Sequence, residues 1–217
     1  MANKGEKTFS SIAPEGIKLT LILLVITLVF FFLGYKVISG VMLIFVIFNL
    51  FFFRNPQRIV PSGPFIVAPA DGEVILIKNV EEKEFFKEEV TLVSIFMSIF
   101  NVHVNRAPYD GKVLAIKHYD GRFFSANLNS AFEENEKNYV FFETPEGFKL
   151  LYSQVAGLIA RRIVCDLKVG DIIKKGQRVG IICYGSRVDI FLPKNVEIKV
   201  KLKDKTKAGE TVIGVLK

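Results

Sequence analysis

A chain of 217 residues has room for one folded domain and an accessory segment. Half of its residues are hydrophobic, and 29 Lys and Arg against 22 Asp and Glu leave a formal charge of +7. Such an excess suits nucleic acid or an anionic membrane surface; with no aromatic RNA-binding motif or zinc-finger spacing, and with the apolar residues gathered near the N-terminus, a membrane is the expected partner and nucleic acid is not.

Residues 1–18 are polar and carry Lys4, Lys7 and Lys18. Two apolar runs follow, 19–35 and 37–53, joined by Gly34-Tyr35-Lys36. Each is roughly 17 residues, about 25 Å as a helix, at the short end of what spans a bilayer. No polar residue repeats along either run to make a solvent face, and no small-residue cleavage site follows. Residues 19–53 are therefore expected to form a transmembrane helical hairpin; a buried soluble hairpin is the alternative. Lys4, Lys7 and Lys18 before it, and Arg54 and Arg58 after it, outnumber Lys36 in the connection, which places both ends in the cytoplasm. Residues 54–217 then sit on the cytoplasmic face of the cell membrane. Pro56, Pro61 and Pro64 stop any helix in the exit linker.

Beyond the linker, short runs rich in Val, Ile and Phe recur between Asp-Gly, Pro and Gly breaks, at 73–77, 91–96, 112–116, 140–144, 149–155 and 196–202. Residues 130–138 are charged and read as a loop or short helix, and 123–128 as a stretch packing near the membrane. Two internal echoes set the architecture. Ala68-Pro69-Ala70-Asp71-Gly72-Glu73-Val74 parallels Ala107-Pro108-Tyr109-Asp110-Gly111-Lys112-Val113, and 168–180 parallels 203–214 around a Lys-x-Gly turn. The predicted class is mainly β, a barrel-sandwich hybrid of quasi-duplicated, lipoyl-like hairpins; two copies are too few for a solenoid. Cys165 and Cys183 fit no CxxC pattern and lie in apolar strand-like runs, so buried free thiols are expected.

Three segments are candidates for chemistry. Asp71 lies in an Asp-Gly turn, which turn geometry alone explains, and Asp110 shares the pattern. His103, one of two histidines, lies in Asn101-Val102-His103-Val104-Asn105-Arg106. The last is Tyr184-Gly185-Ser186-Arg187. Gly-Ser is an ordinary turn, but a serine hydroxyl can also attack the preceding carbonyl, which glycine leaves open. The ester formed can break by β-elimination, leaving a pyruvoyl group and ammonia. His103 and His118 alone are too few for a metal site, so no metal is expected. Lys174 and Lys175 at a hairpin tip lack the flanks of a lipoyl carrier.

In combination, Ala68-Pro69-Ala70-Asp71-Gly72, the run from Phe96-Met97-Ser98 to Arg106-Ala107-Pro108, residues 133–138 and Tyr184-Gly185-Ser186-Arg187-Val188-Asp189 resemble phosphatidylserine decarboxylase, in its short, membrane-anchored, single-domain branch. The resemblance runs from about Arg54 to the C-terminus. It implies a self-processing proenzyme cut between Gly185 and Ser186 into a β chain, 1–185, and an α chain, 186–217, headed by a covalent pyruvoyl group made from Ser186. That group would form a Schiff base with the headgroup amine and release phosphatidylethanolamine, without pyridoxal phosphate or metal. Asp71 and His103 would activate the serine, and the cut chains would pair as a homodimer. His118 and Arg106 are candidate substrate contacts, and an exposed loop position is the alternative for His118. Arg106 stands where longer members carry a second histidine, which leaves open how His103 divides its work. A non-enzymatic, membrane-anchored lipoyl-like adaptor is the competing reading, and it predicts an uncut chain.

Overall fold

The computed structural model describes residues 11–122, 124, 134–157, 162–183 and 186–216. They fall into two compact units, Met1–Gln57 and Arg58–Lys217. Lys4, Lys7, Tyr184 and Gly185, residues 123 and 125–128, and the 130–133 part of the charged stretch lie outside the described residues.

The first unit is a pair of helices, α1 (Pro14–Phe32) and α2 (Lys36–Phe52). Helix α1 begins ahead of the apolar run because Pro14 at its first turn has the fixed φ a helix needs and no N–H to leave unpaired. It is long and apolar enough to cross a membrane, with 19 residues and a mean hydropathy of 2.2 over its best window; α2 has 17. Both present apolar side chains outward, Phe32 and Val37 most of all. One polar clasp joins them: Asn49 Nδ2 donates to the Gly16 carbonyl at 3.1 Å and to Thr20 Oγ1 at 2.6 Å. The base is closed by Ala13 N–H to the Phe53 carbonyl, 2.7 Å. Gly16 permits that approach, since a Cβ there would stand 2.4 Å from the Phe53 ring.

The second unit is mainly β. Its strands are β1 (Phe65–Val67), β2 (Gly72–Glu82), β3 (Glu88–Met97), β4 (Val104–Arg106), β5 (Gly111–Tyr119), β6 (Lys137–Glu143), β7 (Lys149–Ala156), β8 (Ile163–Cys165), β9 (Ile172–Ile173), β10 (Arg178–Ile182), β11 (Ser186–Leu192), β12 (Val196–Ile198), β13 (Lys205–Thr206) and β14 (Val212–Leu216). Eight form one antiparallel sheet in the order β13-β2-β3-β11-β7-β6-β5-β9; the others form two three-stranded sheets, β1-β14-β12 and β4-β10-β8. The sequence echoes map onto this order. Reading inward from either edge, β13-β2-β3-β11 corresponds to β9-β5-β6-β7, and each small sheet corresponds to the other. Even the irregularities repeat: β2 bulges between Val74 and Leu76, and β5 between Val113 and Ala115. Both echoed Asp-Gly glycines sit where backbones crowd, for a Cβ on Gly72 would meet the Phe96 carbonyl at 2.1 Å and one on Gly111 the Glu143 carbonyl at 2.6 Å.

The quasi-duplicated, mainly β architecture thus stands, and the second half is inserted whole between β3 and β11 of the first. The main core lies between one face of the large sheet and the two small ones, built from Ile95, Val113, Phe142, Tyr152, Val179, Val188, Ile190 and Ile213 among others. A smaller cluster, Val90, Leu92, Phe141, Leu151 and Phe191, packs the other face under Phe85 and Phe86. Three expectations change. The last run is a strand only over Val196–Ile198: Lys199 N–H to the Ile213 carbonyl is the last bond to β14, and the chain then turns, with Asp204 N–H donating to the Lys201 carbonyl. Strand β6 takes over the charged stretch from Lys137. Cys183 is buried and in no disulfide, but Cys165 is only partly covered, since β8 is the edge of its three-stranded sheet.

Candidate active site around Ser186

Ser186 opens β11, the strand at which the chain returns to the first half after the insertion. It is flanked by Met97 on β3 and Ala156 on β7. Side chains alternate along a strand, so Ser186 shares the core face with Val188, Ile190 and Leu192, and it is fully buried. Its Oγ donates to Met97 Sδ at 3.4 Å.

The segment carrying His103 starts from the same place. After Met97 the chain makes a turn in which Asn101 Oδ1 accepts from Ser98 N–H at 2.9 Å and Ser98 Oγ at 2.8 Å. His103 follows, fully buried, just before β4. Its carbonyl accepts from Ile182 N–H, the last residue of β10. Four residues on from Ile182 is Ser186, a reach of at most about 14 Å. The insertion therefore leaves and re-enters the first half at one end of the large sheet, and both His103 and Ser186 flank that junction. His103 Nδ1 is 3.0 Å from the Asn101 carbonyl oxygen. A carbonyl only accepts, so Nδ1 carries the hydrogen in this contact, and in a neutral ring the lone pair then lies on Nε2.

Beneath Ser186 runs a chain of buried amides that sequence reading missed. Asn138 Nδ2 donates to Gln154 Oε1 at 3.2 Å, Gln154 Nε2 to Asn105 Oδ1 at 3.0 Å, and Asn105 Nδ2 points to Met97 Sδ at 3.8 Å. On the opposite face, Arg187 and Asp189 are buried as an ion pair of 2.5 Å, and Arg187 Nη2 donates to Ser94 Oγ at 2.8 Å. The available signal for this pair was the strand period: Arg187 and Asp189 alternate with apolar residues, in a strand whose faces are both covered.

Asp71 lies two strands from Ser186, at the start of the turn into β2. Its carboxylate accepts from Arg58 Nη2 with both oxygens at 2.9 Å and from Ala208 N–H at 2.8 Å. Arg106, also buried, donates from Nη1 to the Gly176 carbonyl at 3.0 Å. Burial, and then the Arg58 charge, pull its guanidinium down to about 10, with Asp71 opposing them; it stays protonated at neutral pH. Arg58 is thereby withdrawn from any role as a free surface cation. His118 lies in β5, not in a loop, within 3.6 Å of both Asp120 and Glu136. Three strand spacings, about 14 Å, separate β5 from β11. Among the described residues no group of three or more His, Cys, Asp or Glu is placed to hold a metal.

A buried hydroxyl, a buried imidazole and uncharged neighbours, collected where one backbone segment enters β11, suit attack by an oxygen nucleophile with a histidine as base. Residues 45–214 match the sequence profile of the family described as phosphatidylserine decarboxylase. A phosphatidylserine decarboxylase proenzyme of Geotalea uraniireducens is 48% identical over 206 residues, 94% of this chain and 96% of that protein. The proenzyme of the same name from Syntrophus aciditrophicus is 46% identical over 207 residues, 94% and 97% of the two chains, and that of Desulfotalea psychrophila 43% over 204, 94% and 95%.

Proposed function

The chain belongs to the phosphatidylserine decarboxylase family, a family of carboxy-lyases, and from that premise we propose that it is a proenzyme that cuts itself between Gly185 and Ser186 and then decarboxylates phosphatidylserine to phosphatidylethanolamine. The observation that carries the reading is the burial of Ser186 Oγ at the one junction that His103 also borders.

In the first step Ser186 Oγ bonds to the Gly185 carbonyl carbon. His103 takes the hydroxyl proton at Nε2 and returns it to the Ser186 nitrogen as the C–N bond breaks, leaving an ester and a free amine. Loss of the Ser186 Cα proton with the Gly185 carboxylate as leaving group gives an enamine, and water converts its imine tautomer to a ketone and ammonia. Atoms balance with water alone, and no metal or redox partner is called on. Arg106 is a cation at neutral pH and has no lone pair to accept a proton, so His103 serves as base in this branch. Asp71 supports the site at one remove, by fixing Arg58 and the turn at Ala208.

A covalent pyruvoyl group at position 186 would supply a ketone for the headgroup amine and an adjacent amide carbonyl to accept electrons as carbon dioxide leaves. The position fits such a group: it is uncharged, covered, and bordered by Met97, Ala156 and Val188. There His103 would donate the proton that replaces the carboxylate, and the covered setting would weaken solvation of the carboxylate. The helical hairpin, with both ends in the cytoplasm, anchors this chemistry where the lipid headgroups lie and raises their effective concentration. His118 and Arg106 remain proposed substrate contacts, and the cut chains pair as a homodimer.

The test is the intact mass of wild-type and Ser186→Ala protein under denaturing conditions. Two wild-type fragments divided after Gly185, the smaller blocked to N-terminal sequencing, together with an uncut alanine variant, support the reading. A whole wild-type chain with no activity on phosphatidylserine vesicles returns the protein to the adaptor class.

A further inference from the structure

The acceptor that Ser186 Oγ uses is a thioether. Sulfur there is a weak acceptor and no base at all, so the contact satisfies the hydroxyl without drawing off its proton. Both residues are fully buried, and no water competes for the hydroxyl from bulk solvent. The sulfur is also fixed from behind. Gln154 Nε2 reaches the Val164 carbonyl at 3.4 Å as well as Asn105 Oδ1 at 3.0 Å, and a backbone carbonyl only accepts. That end of Gln154 is therefore its NH2 group. Asn105 must then present its oxygen to Gln154 and its NH2 to Met97 Sδ. The amide chain has one direction, and it ends by holding the thioether between two donors.

Attack on Gly185 requires the opposite arrangement of the hydroxyl. As the new O–C bond forms, the Oγ proton moves to a nitrogen base, so the O–H···S contact exists before the reaction and not in its transition state. An interaction made only in the ground state slows a reaction. We propose that Met97 is a brake on self-cleavage, holding the Ser186 hydroxyl in a resting position in the uncut chain, with Asn105 and Gln154 as the positioning residues that keep the sulfur there. The inference rests on the self-cleavage proposed above.

The experiment follows the cleavage time course of full-length chain made by cell-free synthesis into vesicles. Met97→Leu keeps nearly the same volume and removes the acceptor; the stranded hydroxyl raises the ground state, and cleavage is expected to be at least about five-fold faster. Met97→Gln offers a stronger acceptor at the same reach, and cleavage is expected to be slower than in wild type. A purely packing role for Met97 would slow both variants or neither. Thermal midpoints of the same two substitutions in the uncut Ser186→Ala background report any loss of fold separately. A Leu variant that cleaves at the wild-type rate or below it overturns the brake, as does a Gln variant as fast as the Leu one. A wild-type chain that never cleaves removes the parent reading and the brake together, whereas a cleaving wild type beside an unaccelerated Leu variant removes the brake alone.

Discussion

Asp71 and Asp110 are the same residue of the two halves of the β unit. Each caps the Lys-x-Gly turn of its own half, Asp71 Oδ1 accepting from Ala208 N–H at 2.8 Å and Asp110 Oδ1 from Lys175 N–H at 2.7 Å. The neighbouring bonds repeat too: Gly209 N–H to the Ala68 carbonyl and Gly176 N–H to the Ala107 carbonyl are both 2.9 Å. What distinguishes Asp71 is Arg58, which it holds in a buried, two-oxygen ion pair.

This comparison separates a shared structural role from an added one. Asp71→Asn retains an oxygen for Ala208 N–H but leaves the Arg58 guanidinium buried without its counter-charge, and is expected to destabilise the protein by about 3 kcal/mol. Asp110→Asn keeps its turn bond in an exposed setting and should change stability by less than about 1 kcal/mol. Denaturant unfolding of the two variants in detergent, with Ser186→Ala throughout to exclude cleavage, checks the difference; equal losses would mean that Arg58 contributes nothing.

The Arg187–Asp189 pair lies on the second and fourth residues beyond the proposed cut. Arg187→Met alone strands Asp189 in a covered sheet face and should cost about 3–5 kcal/mol. The double change Arg187→Met/Asp189→Leu removes both charges at similar volume and should recover most of that loss. Ser94→Ala, which deletes only the hydroxyl acceptor of Arg187 Nη2, should cost about 1.5–3 kcal/mol. A double variant no more stable than Arg187→Met would show that the pair is not coupled in this way.

Cys165 offers a pH test. Burial raises its thiol above the ordinary range, partly offset by hydrogen bonds from the Leu167 backbone and the Asn138 side chain. Below the unfolded thiol's pKa the folded and unfolded chains are both protonated and the site adds no pH dependence. As pH rises past that value the unfolded chain ionises first, so stability falls through this site. Alkylation of Cys165 in a Cys183→Ala background should accordingly reach half its limiting rate at a higher pH than a small-molecule thiol run beside it. A midpoint at or below that of the free thiol would contradict the burial.

Much of this protein was readable along the chain because the relevant signals are local. Helical runs without a polar face, a period of two in Val188 to Leu192, and Asp-Gly turns echoed at Asp71 and Asp110 each depend on residues a few positions apart. The order of motifs from Asp71 through His103 to Ser186 carried the family in the same way. The places where local reading failed are those where the answer lies across strands. Nothing near Cys165 in the sequence says that its strand is a sheet edge, and nothing near His118 says that β5 continues through it. Asn105, Gln154 and Met97 are far apart in the chain, and an amide or a thioether in a strand looks like ordinary core filling. Their hydrogen bonds exist because β3, β4, β7 and β11 meet at one end of the large sheet, where the inserted half departs and returns. A buried polar group must find its partner wherever packing brings one, and that choice is made by tertiary contact rather than by the residues next to it.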